Sequence, residues 1–287
     1  MLNTVWLTEQ PNTPQPCVML LGGFDGLHVG HKKLAEHAKS FGLPVGAMTI
    51  VGGKDGTGLF TAEERRDIFY RAGVQFLFEL PFAEIKDITP TAFAALLEEK
   101  FSPVAFVCGD DFRFGKMAQG TSETLKQATR VRVETLSLVQ KNGEKISSST
   151  VKSLLKDGNV AQANELLGER FFVMGEVIKD RGVGKTIGFP TANIAYPQNK
   201  FPLKKGVYET CVCVDGKEYK GITNYGARPT FQNQTDCVET HLVGFSGDLY
   251  GRKIKVEFVR RLRDIQAFDG VEKLKEQLKK DLREING

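Results

Sequence analysis

The chain has 287 residues, 41% hydrophobic and 26% charged, with a formal net charge of +4. That length points to two domains, and so mild a charge suits small anionic ligands but is too weak to argue for nucleic acid. No apolar run approaches the roughly 20 residues that span a bilayer, no signal-peptide core opens the chain, and five cysteines without a C-x-x-C pair fit a reduced, cytoplasmic protein.

Residues up to about Pro16 are polar and proline-containing and read as a lead-in segment. Val18 to Leu21 then form a short apolar run, the pattern of a buried strand. It runs into Gly22-Gly23-Phe24-Asp25-Gly26, where the missing Cβ of glycine permits a sharp turn and a close approach to a ligand. A helical pattern follows from Val29 through His31, Leu34, Ala35 and Ala38 to a stop at Gly42. A strand, a glycine turn and a helix start form a natural phosphate site. His28 and His31 share one face of that helix entrance, where imidazole donors suit a phosphate gaining charge. Asp25 is placed to bind a ribose hydroxyl, a metal-bound water or a backbone N–H.

Pro44 to Ile50 reads as a second strand. Thr61 with Glu64 forms a capping-box start for a helix. Phe76 to Leu80 is a third strand, Thr89-Pro90 opens another helix, and Val104 to Cys108 is a fourth strand. Strands alternating with helices predict a parallel α/β sheet with its ligand beyond the carboxyl ends of the strands. After the fourth strand comes Gly109-Asp110-Asp111-Phe112-Arg113-Phe114-Gly115. Its Arg113 suits phosphate oxygens, though an exposed turn over packed Phe112 and Phe114 explains the same residues. Ile146-Ser147-Ser148-Ser149-Thr150-Val151-Lys152 leads into a short helix ending near Gly158. Its serines serve as helix caps, as phosphate ligands, or as both. Val160 to Leu167 closes the first module, giving domains 1–168 and 169–287.

From Phe171 the pattern is that of a β protein. Phe171 to Ile178 is strand-like, and Val207 to Val214 and Lys217 to Ile222 flank the hairpin dipeptide Asp215-Gly216. Lys253 to Phe258 alternates charged and apolar residues. These strands predict a small antiparallel barrel. A final helix carries Val271, Leu274, Leu278, Leu282 and Ile285 on the side facing it. The segment Asp180 to Asn193 reads DRGVGKTIGFPTAN: a flexible glycine loop with Lys185 as a counter-charge, but not the order of a Walker A loop. Glu239, in Val238-Glu239-Thr240-His241-Leu242, reads equally as a solvent-facing strand residue or as a functional carboxylate.

GGFDGLHVGH resembles the H-x-G-H signature of adenylyl- and cytidylyltransferases. With G-x-D-F-x-F-G, I-S-S-[ST]-x-x-[RK] and the complete G-[KR]-T-x-G-F-P-T-A-N, nearly the whole chain resembles the prokaryotic bifunctional riboflavin kinase/FAD synthetases. The resemblance implies a Rossmann-like nucleotidyltransferase domain followed by a riboflavin kinase barrel. It implies two reactions: riboflavin and ATP give FMN, then FMN and ATP give FAD and pyrophosphate, with Mg²⁺ assisting. His28 and His31 would contact ATP phosphates, with Gly22, Phe24, Asp25, Gly30, Arg113, Ser147, Ser148 and Lys152 around the nucleotide. In the kinase, Gly182, Gly184, Lys185, Thr186, Pro190, Asn224 and Arg228 would line the ATP and flavin site. Thr191 and Asn193 would hold the magnesium–nucleotide, and Glu239 would take the proton of the ribityl hydroxyl. Asn224 to Phe231 matches a family loop, and Arg260 to Phe268 a segment closing over flavin. One stretch departs: where the family has F-x-P-H-P, this chain has Thr49-Ile50-Val51-Gly52-Gly53-Lys54. That departure keeps two other readings open, a riboflavin kinase with a degenerate or retargeted first module, and a non-catalytic flavin-binding regulator.

Overall fold

A computed structural model of the protein describes residues 3–7, 16–51, 57–137, 140–141, 144–179, 183–227 and 236–286. The chain packs as two compact units, Met1–Ser148 and Ser149–Gly287. Among the described residues no helix is long and apolar enough to cross a membrane.

In the first unit the elements run β1 (Asn3–Trp6), β2 (Cys17–Leu21), α1 (Val29–Lys39), β3 (Val45–Val51), α2 (Ala62–Arg71), β4 (Phe76–Pro81), α3 (Phe82–Ile85) and α4 (Pro90–Phe101). They continue with β5 (Pro103–Gly109), the hairpin β6 (Arg113–Phe114) and β7 (Gly120–Thr121), α5 (Ser122–Ala128), β8 (Arg132–Leu136), and the short pair β9 (Gln140–Lys141) and β10 (Glu144–Lys145). One sheet has the order β1-β4-β3-β2-β5-β8. All its pairings are parallel except β1 against β4. The polar lead-in expected at the N-terminus therefore contains an edge strand, which gains its order from pairing with β4. Every residue of β2 is buried, as a central strand covered on both faces requires. Connections from β2 run outward in one direction to β3 and β4, while β5 and β8 lie on its other side. The strand order thus reverses between β2 and β5, and a crevice opens at their carboxyl ends. Thr61 and Glu64 form the expected capping box.

The second unit begins one residue into α6 (Ser148–Asp157), and continues with α7 (Val160–Leu167), β11 (Phe171–Glu176), α8 (Val183–Thr186), β12 (Ala192–Ala195), β13 (Gly206–Val214), β14 (Lys217–Ala227), β15 (Asp236–Leu242), β16 (Lys253–Arg263) and α9 (Val271–Asn286). Six antiparallel strands, ordered β11-β16-β13-β14-β15-β12, are nearly closed into a barrel by a bridge from Ile178 to Asn193. Asp215 and Gly216 turn the β13–β14 hairpin at φ 51° and 79°, the left-handed pair that a tight hairpin demands. Strand β14 is longer than expected and carries Asn224 to Ala227, which the sequence placed in a loop.

Leu282 and Ile285 of α9 pack on Val207, Ile222 and Leu262. Val271, expected on the same face, is exposed. Buried Asp281 anchors α9 through a bidentate bond with the Arg263 guanidinium, at 3.0 Å and 2.7 Å. Arg260 donates one bond each to Glu209 at 2.6 Å and Glu284 at 3.0 Å, so the start of the segment expected over flavin continues β16 and clasps the helix.

The helix α7 (Val160–Leu167), grouped by sequence with the first module, packs on β16 and β11. Its Asn164 donates to the Phe258 carbonyl at 2.8 Å and accepts from the Phe171 N–H at 2.7 Å. Val160, Ala163, Leu166 and Leu167 are buried. Removing them exposes apolar surface worth roughly 25 cal/mol per Å². A fragment beginning at Ser149 is therefore expected to unfold at a higher urea concentration than one beginning at Glu169. Equal midpoints would contradict this role for α7.

Candidate functional site

The first candidate site lies where β2 ends. Gly22 has no room for a Cβ, which would sit 2.8 Å from the Phe24 ring. Phe24 itself is buried and holds a left-handed φ of 36°, a strained state for a non-glycine residue. Its ring meets the edge of His31 at 4.7 Å. Of the roles open to Asp25, the structure shows the backbone one: its carboxylate accepts from the Leu59 N–H at 2.7 Å. Gly30 lies in the first turn of α1.

His28 caps α1, its Nδ1 accepting from the His31 backbone N–H at 3.3 Å. The His31 ring stacks on that of His28, with centroids 3.5 Å apart, and its Nδ1 meets the Gly26 carbonyl at 3.0 Å. The expected common face of the two histidines is therefore a stacked pair at the positive end of a helix dipole. Both are neutral near pH 7. Burial pushes His28 down to about 4, with the Asp111 carboxylate opposing and Lys145 adding to the shift. Burial likewise pushes His31 to about 3, with His28 and Lys145 adding to it.

Those two charges were missed by the sequence reading. Asp111 follows β5, the neighbour of β2 across the switch point, and forms an ion pair with Lys145. Lys145, one residue before the serine motif, had a signal only in its charge. Arg65 was missed as well: it is buried, and donates to the Ile50 carbonyl at 3.1 Å at the end of β3. Phe112 and Phe114 stack underneath the β5 turn at 5.2 Å, and exposed Arg113 bonds the Phe112 carbonyl. Ser147 and Ser148 end the first unit. Lys152 lies in the second, with its ammonium 5.6 Å from the Phe201 ring centroid. Gly52-Gly53-Lys54 of the departing stretch lies outside the described residues.

The second candidate site is a row across three strands of the barrel. Register puts Asn193 of β12 and Asn224 of β14 on either side of Glu239 on β15. Thr191 donates to the Glu239 carboxylate at 3.1 Å. Asn193 is 2% exposed, donates weakly to Thr191 at 3.5 Å, and leaves its Oδ1 buried without a partner. Such an orphan carries a penalty of about 1–3 kcal/mol, which a ligand would relieve. His241 donates from Nδ1 to the Pro190 carbonyl at 2.9 Å, pinning the turn that carries Thr191. Gly184, in α8, admits no side chain because a Cβ would lie 2.4 Å from the Phe189 carbonyl oxygen. Thr186 and Pro190 are exposed beside it. Gly182 and Arg228 lie outside the described residues, as does the side chain of Lys185.

The histidine pair has a consequence for stability. Both pKa values fall below the ordinary 6.5 in the folded chain, so the unfolded chain binds protons first as pH drops. This contribution is intact above pH 6.5 and is lost as pH falls towards about 4 and then about 3. Urea midpoints of the full-length protein should drop over that window, and less steeply in a His28→Gln/His31→Gln double variant. Parallel curves would refute the assignment.

The two units match two different family models. The FAD synthetase family matches residues 10–150 and the riboflavin kinase family matches residues 167–286. The bifunctional riboflavin kinase/FMN adenylyltransferase of Bacillus subtilis is 34% identical over 289 residues, covering 93% of this chain and 90% of the relative. That of Escherichia coli K12 is 33% identical over 293 residues, covering 96% and 93%. Among solved structures, a Streptococcus pneumoniae protein named a macrolide-efflux protein has a TM-score of 0.85 at 30% identity, covering 95% of this chain and 94% of its own. With both modules present in the same order and the similarity running nearly end to end, the chain belongs to the family of bifunctional riboflavin kinase/FMN adenylyltransferases.

Proposed function

We propose that the two reactions of this enzyme are divided between residues 169–287, which phosphorylate riboflavin, and residues 1–168, which adenylylate FMN. The activities themselves follow from the family: riboflavin and ATP yield FMN, and FMN and ATP yield FAD with release of pyrophosphate. Relatives bearing both functions in their names, and matched over at least nine-tenths of their length, do not favour a degenerate first module or a non-catalytic regulator.

The observation that carries the kinase assignment is the row Asn193, Glu239 and Asn224, with Thr191 donating to Glu239. Glu239 is the base that takes the proton of the ribityl 5′-hydroxyl, and the Thr191 hydroxyl orients its carboxylate. Thr191 Oγ1 and the orphaned Asn193 Oδ1 suit Mg²⁺, which accepts neutral oxygen ligands alongside nucleotide phosphates and water. Neither residue carries a charge, which suits an ion bound to the nucleotide phosphates as well. When bound it neutralises charge on the transferring phosphoryl group. The complete signature supports assigning Gly182, Gly184, Lys185 and Thr186 to the ATP phosphates, and Pro190, Asn224 and Arg228 to the flavin and nucleotide.

In the first module His28 and His31 face the triphosphate at the start of α1. Gly22, Phe24, Asp25 and Gly30 shape that turn, and Arg113, Ser147 and Ser148 complete the nucleotide site. The FMN phosphate attacks ATP directly, because the motif supplies no nucleophilic side chain. Five cysteines without a C-x-x-C pair support a reduced, cytoplasmic placement.

Glu239→Gln should lower FMN formation by about 10²–10⁴-fold, the usual contribution of a general base, and leave FAD formation from supplied FMN unchanged. His28→Ala should do the reverse, costing about 3–4 kcal/mol in the adenylyl-transfer transition state while sparing the kinase. Chromatographic separation of FMN from FAD checks both. A parallel loss of the two activities in either variant would overturn the division.

A further inference from the structure

We propose that binding of the triphosphate in the first module takes up one proton from solvent, onto Nε2 of His31. The inference rests on the reading of that module as the ATP site and adds the protonation state in which it works.

Two hydrogen bonds set the rings in opposite tautomers. Nδ1 of His28 accepts a backbone N–H, so it carries no proton, and in the neutral ring the proton is on Nε2. Nδ1 of His31 faces a carbonyl oxygen, which can only accept, so Nδ1 carries the proton and Nε2 is a bare lone pair. Neither Nε2 has a hydrogen-bond partner among the described residues. His28 therefore already offers a donor to an anion, whereas His31 presents an acceptor. Fully ionised phosphate oxygens donate nothing, so an unaltered His31 would set lone pair against lone pair.

A half-turn of the ring would leave its plane, and so the stack on His28 and the edge contact with Phe24, in place, but would replace Nδ1–H at the Gly26 carbonyl by a C–H and lose that bond. Protonating Nε2 keeps the bond and makes both rings donors. In the free enzyme burial and the Lys145 ammonium disfavour a proton on both rings, while the Asp111 carboxylate, paired with Lys145, favours one on His28. A polyphosphate reverses the balance, since several negative charges within a few ångströms favour the imidazolium. The proton returns to solvent when the polyphosphate leaves. In the complex, His31 meets the developing charge of the transition state as a cation, and His28 as a neutral donor held by its capping bond.

The chain has four histidines, so ¹⁵N-histidine labelling of the full-length enzyme resolves each ring. The probe is α,β-methylene-ATP with Mg²⁺ and no flavin, at a mildly alkaline pH where the nucleotide itself is fully ionised. The expected result is that His28 keeps its Nε2–H tautomer while His31 passes from the Nδ1–H tautomer to the imidazolium. Calorimetry of the same titration, in buffers of low and high ionisation enthalpy, should give an uptake of about one proton per chain more than in His31→Gln. His28 and His31 signals that shift while His31 stays neutral would overturn the inference and leave the site reading standing. Saturation that moves His241, in the second unit, but neither His28 nor His31 would overturn the site reading and the inference with it.

Discussion

The hydrogen bond from the His31 backbone N–H to Nδ1 of His28 holds the first module's chemistry together. A helix start leaves its first N–H groups without partners, and most chains cap them with a serine, threonine or aspartate. Here an imidazole does so, and the cap thereby decides which ring nitrogen carries the proton, where the ring points, and how the next histidine stacks on it. The turn before the cap is shaped to the same end. Phe24 fills the space over Gly22 and buttresses His31, and Asp25 ties the turn to the loop at Leu59. Backbone strain at Phe24 is tolerated because buried packing over-determines it.

The second module reaches its chemistry by another route. Antiparallel pairing sets residues of neighbouring strands directly opposite one another, so one register choice brings Asn193, Glu239 and Asn224 into a row. A slip of one residue would turn every member of the row to the opposite face. The face inside the barrel holds that register with a chain of buried hydroxyls, Thr210 to Thr223 at 2.7 Å and Thr223 to Thr240 at 2.8 Å. On the outer face, α9 is held by the Arg263–Asp281 pair. A pair this buried does little for net stability, since desolvation offsets its attraction. What it supplies is orientation, setting the face of the helix that covers Val207 and Ile222.

Much of this protein was determined by its sequence. The apolar run before Gly22, the capping box at Thr61 and the Asp215-Gly216 hairpin are local signals, carried by steric and hydrogen-bonding preferences of a few adjacent residues. The two family signatures are local in the same sense, so the domain types, the two activities and the histidine pair were legible without coordinates. Tertiary structure alone decided what depends on distant partners. Strand β1 is too short and polar to be ordered except against β4. Asn224 sits on a strand because β15 pairs with it, and α7 packs with the second unit because Asn164 finds the Phe258 carbonyl and the Phe171 N–H. The same holds for Asp111 and Lys145, 34 positions apart in the chain. Only the adjacency of β2 and β5 sets their charges beside the histidines, since a charge acts through space and leaves no periodicity in the sequence.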